Sequence, residues 1–160
     1  MTKKIRPIAI QEFPSVETNC LGFAIGYTAE VKESHSCFNL NSNLSIDEAF
    51  ISKLIDLGYD ISNLRKLENL EDAKSYEYIF KIIGFNWVSA MVFDYDSFKY
   101  VPKLVADYHV VRREPDGTWV HKPGWKDIPC IIKDSDWVEI EEEFGKKFVL
   151  FALSNSPEEE

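Results

Sequence analysis

The spacing of hydrophobic residues changes near the middle of the chain, and this change restricts the fold more than any other feature. Before Gly84 the apolar residues recur at helical spacing, and after it they alternate with polar residues as in half-buried strands. Helices followed by strands are typical of an α+β domain with an antiparallel sheet. A length of 160 residues suits a single domain. We expect that domain to span residues 1–153, followed by an acidic flexible tail at 154–160.

The first predicted helix covers residues 20–32, with Thr18 or Asn19 as its N-cap. It is apolar on almost every side, which is typical of a helix buried in a core. Gly22 and Gly26 each cost about 1 kcal/mol against alanine in a helix, so we expect close packing against their face.

Two further helices are predicted before the change in spacing. Ser45 followed three residues later by Glu48 is a capping box, and Gly58 closes the helix that it begins. A third helix is predicted over residues 70–83, ending at Gly84.

The second half of the chain predicts strands. They are expected at residues 87–93, 107–113, 118–122, 137–140 and 147–153.

Two of these strands are joined by Glu114-Pro115-Asp116-Gly117, which favours a type I turn with a glycine bulge. That turn pairs residue 114 with 118 and residue 113 with 119. His109 and His121 then lie on one face as diagonal neighbours, within side-chain reach. A tight two-residue loop pairing 114 with 117 would instead place His121 on the opposite face.

Charge and cysteine content restrict the environment and the partners. The chain carries 18 basic and 27 acidic residues, a net charge of -9, which disfavours binding to nucleic acid or to anionic membranes. We see neither an apolar run of membrane-spanning length nor a Sec-type leader. The three cysteines have no paired spacing and suit free thiols in a reducing compartment. We therefore expect a cytoplasmic protein, or one exported by a leaderless route.

Cys20 stands at the predicted start of its helix. Exposed backbone N–H groups and the positive end of the helix dipole stabilise a thiolate there. A nucleophilic cysteine also needs a base, and His109 at the beginning of a strand is the candidate.

Two segments resemble a known enzyme family. Asn19-Cys20-Leu21-Gly22-Phe23 resembles the Asp-Cys-Ser-Gly-Phe helix start of NlpC/P60 cysteine peptidases, a branch of the papain-like superfamily. His109-Val110, followed by Gly117 and His121, resembles that family's second motif. The stretch from residue 107 to residue 124 also resembles a hairpin of uncharacterised bacterial proteins that pair it with an upstream Asn-Cys.

The resemblance implies a papain-like fold in which the Cys20 helix packs on an antiparallel sheet. It implies Cys20 as nucleophile, His109 as base and His121 as the residue that orients the base. Asp127 is the alternative orienting residue, and Asp134 is a third choice. On this basis we expect the sulfur of Cys20 within about 4 Å of a ring nitrogen of His109.

Other polar residues receive simpler interpretations. Gln11 could resemble the oxyanion-hole glutamine of papain-like enzymes, but its spacing favours a surface residue. Cys37 and Cys130 are interpreted as inert. His35 and Cys37 lack zinc-site spacing with the other cysteines and histidines, so we expect neither a metal nor a cofactor.

The function predicted from these features is acyl transfer by a cysteine peptidase or amidase acting on a peptide or other amide-containing substrate. The alternative is a non-enzymatic acidic binding module, such as a toxin-neutralising or regulatory partner.

Overall fold

The computed structural model describes residues 3–13, 20–26, 44–94, 96–123 and 128–154. This part of the chain folds as an α+β structure with three α-helices and eight strands, as the sequence predicts at that level. The helices are α1 (Cys20–Ile25), α2 (Ile46–Asp56) and α3 (Asp134–Phe144). The strands are β1 (Lys3–Lys4), β2 (Tyr59–Asp60), β3 (Leu64–Leu67), β4 (Tyr78–Asp94), β5 (Lys99–Arg113), β6 (Trp119–His121), β7 (Cys130–Ile131) and β8 (Phe148–Leu153).

Six strands form one antiparallel sheet in the order β3-β8-β4-β5-β6-β7, and β1 pairs with β2 in a small parallel pair. None of the helices in the described ranges is long and apolar enough to cross a membrane.

The sheet has two covered faces, which we name after neighbouring residues of β5. On the Val110 face, α1 and α2 pack over the sheet and form the largest core cluster with Phe80, Ile82 and Phe151. On the His109 face, α3 packs over Ile83 and Val111. Successive side chains of a strand point to opposite faces, so the backbone of the sheet separates these two layers.

The prediction of a helix over residues 70–83 is wrong. A short 3-10 helix covers Leu70–Asp72, and β4 begins at Tyr78. The four apolar residues between Ile79 and Ile83 suit a central strand, because their side chains are buried on both faces. Gly84, with φ 88°, marks a register shift in β4 and does not end a helix.

The prediction of a strand at residues 137–140 is also wrong, because these residues belong to α3. Trp137, Ile140 and Phe144 recur at helical spacing and pack against the His109 face. Glu141 and Glu142 are exposed on the outer side of the helix.

Helix α1 is shorter than the sequence predicts. It ends at Ile25, and Gly26 leaves the helical conformation with φ 78°. A Cβ at Gly26 would clash with the backbone carbonyl of Arg6, which confirms the close approach expected there. Residues 27–32 of the predicted helix lie outside the described residues.

Helix α2 forms as predicted. Ser45 accepts a hydrogen bond from the backbone N–H of Glu48, whose side chain accepts one from the backbone N–H of Ser45. Gly58 follows the helix with φ 88°.

Arg112 connects α1 to the sheet from the Val110 face. Its guanidinium is fully buried and donates hydrogen bonds to the carbonyl oxygens of Phe23, Ala24 and Ile8. It also forms an ion pair with Glu114. These bonds satisfy carbonyl groups in the last turn of α1, which have no partners within the helix.

Candidate active site

The hairpin between β5 and β6 has the register that its turn sequence predicts. The N–H of Glu114 donates to the carbonyl oxygen of Thr118 at 2.8 Å, and Gly117 has φ 95°. Arg113 pairs with Trp119, one step further along the strands. The alternative two-residue loop is therefore wrong.

This register brings the two histidines together. Nε2 of His109 lies 2.8 Å from Nδ1 of His121, with the rings nearly perpendicular. Both side chains are buried, His109 at 3% exposure and His121 at 4%. The ring of Phe144 at the end of α3 stacks on His109 with a centroid distance of 5.3 Å. The pair is thus a fixed element of the His109 face.

Burial and the neighbouring His121 keep His109 uncharged. Together they lower the pKa of His109 to about 3, and burial is the larger cause. Burial also lowers the pKa of His121, but the negative charge of Asp136 opposes that change. Near neutral pH His109 is therefore neutral, and across the contact one ring nitrogen donates while the other accepts.

The histidines form one wall of a small cavity of about 140 Å³ between the sheet and α3. Its remaining lining residues are Pro123, Cys130, Asp136, Glu139, Ile140, Glu143 and Phe144. The three carboxylates lie three and four residues apart, which places them along one side of α3.

The ring of His121 carries a buried nitrogen without a hydrogen bond to any of the described residues. This atom is Nε2, whereas Nδ1 of the same ring contacts His109. Buried polar atoms are nearly always paired, and exceptions mark functional atoms or ligand positions.

Cys20 does not join this pair. It is 9% exposed and belongs to the core cluster of the Val110 face, together with Leu21 and Val110 itself. His109 precedes Val110 in β5, and its side chain points to the opposite face, so the sheet lies between the thiol and the imidazole. The predicted contact between Cys20 and His109 is therefore wrong in this structure. A strand pattern shows which residues share a face, but it does not show on which face a distant helix packs.

Cys130, and not Cys20, is the cysteine that lies near the histidines. In the pairing of β6 with β7 it lies directly opposite His121, and its side chain lines the same cavity. The sequence analysis interpreted Cys130 as inert and did not predict that it lies near the two histidines. Residues 122–129 separate the two strands, and the Pro123-Gly124 dipeptide within them indicates a turn but does not determine the register of the pairing.

The other candidate residues are not brought to the pair. Asp134 is exposed at the start of α3 and does not line the cavity, whereas Asp136, which the sequence analysis did not single out, does. Gln11 is exposed beside the hairpin turn and lines a different pocket. Asp127, His35 and Cys37 lie outside the described residues. In the part of the chain that the structure describes, no group of three or more His, Cys, Asp or Glu side chains is arranged to hold a metal ion.

Comparison with known proteins adds no further constraint on the site. No protein-family model, curated protein or solved structure matches this chain.

Proposed function

We propose that this chain is a thiol-dependent acyl-transfer enzyme, a peptidase or amidase with papain-like chemistry. The observation that carries the proposal is the buried contact between His109 and His121 at 2.8 Å, in a cavity also lined by a cysteine. Nucleophilic cysteines need a base whose ring is held in one orientation by a further group, and a hydrogen-bonded imidazole pair supplies both parts.

The proposed reaction uses the two rings for different tasks. One imidazole takes the proton of the thiol as the sulfur attacks the carbonyl carbon of an amide. The protonated ring then gives that proton to the leaving amine, and a thioester remains. The other imidazole holds the first ring in place and stabilises its charged form. Water hydrolyses the thioester, with the same ring acting as base.

The burial of the pair favours this use. A neutral imidazole can accept a proton at neutral pH, and its fixed contact removes the need to reorient it during the reaction. A thiolate beside the pair would raise the pKa of the accepting ring, because an opposite charge favours the imidazolium.

A direct test measures amide hydrolysis by the full chain on a panel of fluorogenic peptides and simple amides. We expect His109→Gln and His121→Gln each to lower kcat/KM by at least about 100-fold, the usual range for losing a proton-transfer group. Val138→Ala, an exposed position on α3, serves as the control and should retain full turnover. Turnover that survives both histidine substitutions contradicts the proposal, as does a wild-type chain that hydrolyses none of the panel.

One observation favours the second candidate, a non-enzymatic binding module. Beyond the six-stranded region, β4 and β5 continue as a hairpin that pairs residues 86–94 with residues 99–107. Near its tip Phe98 is 80% exposed and Tyr100 is 66% exposed, and Met91 is also exposed. Exposed apolar clusters of this kind mark interaction surfaces. A binding module would lose partner binding in the double variant Phe98→Ser/Tyr100→Ser and keep it in His109→Gln.

A further inference from the structure

We infer that Cys130 is the nucleophile of this site, with His121 as its base and His109 as the residue that orients the base. The inference rests on the proposed acyl-transfer function and assigns its thiol. It reverses the roles that the sequence predicts for the two histidines, and it replaces Cys20 by a cysteine that the sequence analysis set aside.

The order of the strands supports this arrangement. His109 lies on β5, His121 on β6 and Cys130 on β7, which are consecutive neighbours in the sheet. Cys130 pairs directly with His121, so their side chains leave the sheet on the same face. His121 therefore stands between the other two residues, as the base of such a triad must.

The hydrogen bonds of His121 leave one nitrogen for the thiol. Its Nδ1 is occupied by His109, whereas its Nε2 is buried without a partner among the described residues. His121 and Cys130 line the same cavity. When Nδ1–H donates to His109, Nε2 presents a lone pair that can accept the thiol proton. Contacts of this kind are often long in a ligand-free enzyme and shorten in the substrate complex.

The surrounding charges favour a positive charge on His121. Asp136 raises the pKa of His121 against the effect of burial, whereas no carboxylate has that effect on His109. Of the two rings, His121 is thus the one that can carry the proton of an ion pair with a thiolate.

Solvent exposure also favours Cys130 over Cys20 as the nucleophile. Cys130 is partly exposed, and Cys20 is buried in the core of the opposite face. Of the two cysteines, Cys130 is therefore the one that is partly exposed to solvent and lines the cavity of the histidines.

The proposed reaction involves these three residues, the amide substrate and one water molecule. The proton of Cys130 passes to Nε2 of His121 while the sulfur bonds to the carbonyl carbon. The carbon–nitrogen bond of the amide then breaks, the amine leaves with the proton from His121, and water releases the acyl group as a carboxylate.

Thiol reactivity tests the inference without a substrate. The full chain is treated with iodoacetamide at pH 6, and the rate of labelling at each cysteine is followed by peptide mass spectrometry. An ordinary thiol with a pKa of about 8.5 is almost wholly protonated at that pH. We expect Cys130 in the native chain to react at least about 10-fold faster than Cys130 in the urea-unfolded chain, since an ion pair holds it as thiolate.

The variants identify the cause of that reactivity. His121→Gln should lower the Cys130 rate by at least about 10-fold, and His109→Gln should lower it by a smaller factor, because it acts through His121. Cys20→Ala is the control and should leave the Cys130 rate within about twofold. If a histidine variant fails to fold, the pH dependence of the Cys130 labelling rate in the wild type tests the inference. An activated thiol gives a constant rate from about pH 5 to 7, whereas the rate for an ordinary thiol rises about tenfold per pH unit.

Two outcomes overturn the inference. One is a Cys130 rate equal to that of the unfolded chain, and the other is amide turnover that is lost in Cys20→Ala and kept in Cys130→Ser. The second outcome would leave the proposed function intact. An activated Cys130 in a chain that hydrolyses no amide would instead contradict the proposed function while the reactive thiol remained.

Discussion

The guanidinium of Arg112 donates a hydrogen bond to the carbonyl oxygen of Phe23 at 3.2 Å and lies 4.5 Å from the centre of the same residue's ring. These two residues are 89 positions apart in the chain. Their contact fixes α1 to β5 on the Val110 face, and so it also fixes Cys20 on that face, away from the histidines.

Replacing Arg112 by methionine should destabilise the fold strongly. The variant Arg112→Met leaves Glu114 without its buried partner and leaves the carbonyl oxygens of Phe23 and Ala24 unsatisfied. Loss of one partner of a buried ion pair typically costs about 3–5 kcal/mol in the free energy of unfolding. Urea unfolding measures the change.

Arg113→Met is the matched control, because Arg113 is the next residue of the same strand and lies half-buried on the His109 face. Its Nε makes no hydrogen bond in the structure, so we expect a cost below about 1 kcal/mol. Equal losses in the two variants would show that Arg112 has no special role in holding α1.

The hairpin shows which parts of the site could be predicted from sequence. A proline, an aspartate and a glycine in fixed positions determine the turn, the turn determines the register, and the register places His109 beside His121. Each step is local. The capping box at Ser45 and Glu48 predicts the start of α2 for the same reason.

The wrong predictions concern contacts between residues that are far apart in the chain. Ile79 to Ile83 form a short run buried on both faces, and such a run is compatible with a helix or a central strand on periodicity alone. The positions of Cys20 and Cys130 depend on which face α1 covers and on which strand β7 joins. Both follow from contacts between distant segments, such as that of Arg112 with Phe23.

Gly26 provides a second test of how α1 is held. Its φ of 78° disfavours any side chain, and a Cβ would meet the carbonyl of Arg6. Gly26→Ala should therefore cost more than the roughly 1–2 kcal/mol of the left-handed conformation alone. Gly58→Ala isolates that conformational cost, because Gly58 has φ 88° and nothing within 4 Å of the position of a Cβ. In thermal unfolding we expect a lower Tm for Gly26→Ala than for Gly58→Ala. The reverse order would contradict the close packing around Gly26.

The buried histidines should make stability depend on pH below about pH 6.5. Their pKa values are lower in the folded chain than the ordinary value, that of His109 being about 3. The unfolded chain therefore binds more protons as the pH falls. For His109 the stabilisation is complete above about pH 6.5 and is lost toward pH 3, by up to about 1.4 kcal/mol per pH unit.

Urea unfolding of the wild type and of His109→Gln at pH 7 and pH 4.5 measures this dependence. Carboxylates titrate in both proteins, so the difference between the two slopes isolates the histidine. We expect the wild type to lose more stability on acidification than the variant loses. Parallel slopes would mean that His109 is charged, or accessible to protons, in the folded chain.

Asp136 should affect the reactivity of the site as well as the stability of α3. Its side chain accepts a hydrogen bond from the backbone N–H of Lys133 at 2.9 Å, and it opposes the lowering of the pKa of His121. Asp136→Asn removes the negative charge, so the imidazolium of His121 becomes less favourable. Labelling of Cys130 by iodoacetamide at pH 6 should fall about 3- to 10-fold, which corresponds to up to one unit in the pKa of His121.

Asp134→Asn is the matched control, because it removes the same charge from the first turn of α3 at an exposed position outside the cavity. Both variants should lose part of the favourable interaction with the helix dipole, about 0.3–1 kcal/mol. Only Asp136→Asn should also slow the labelling of Cys130, and equal rates in the two variants would show that Asp136 serves the helix alone.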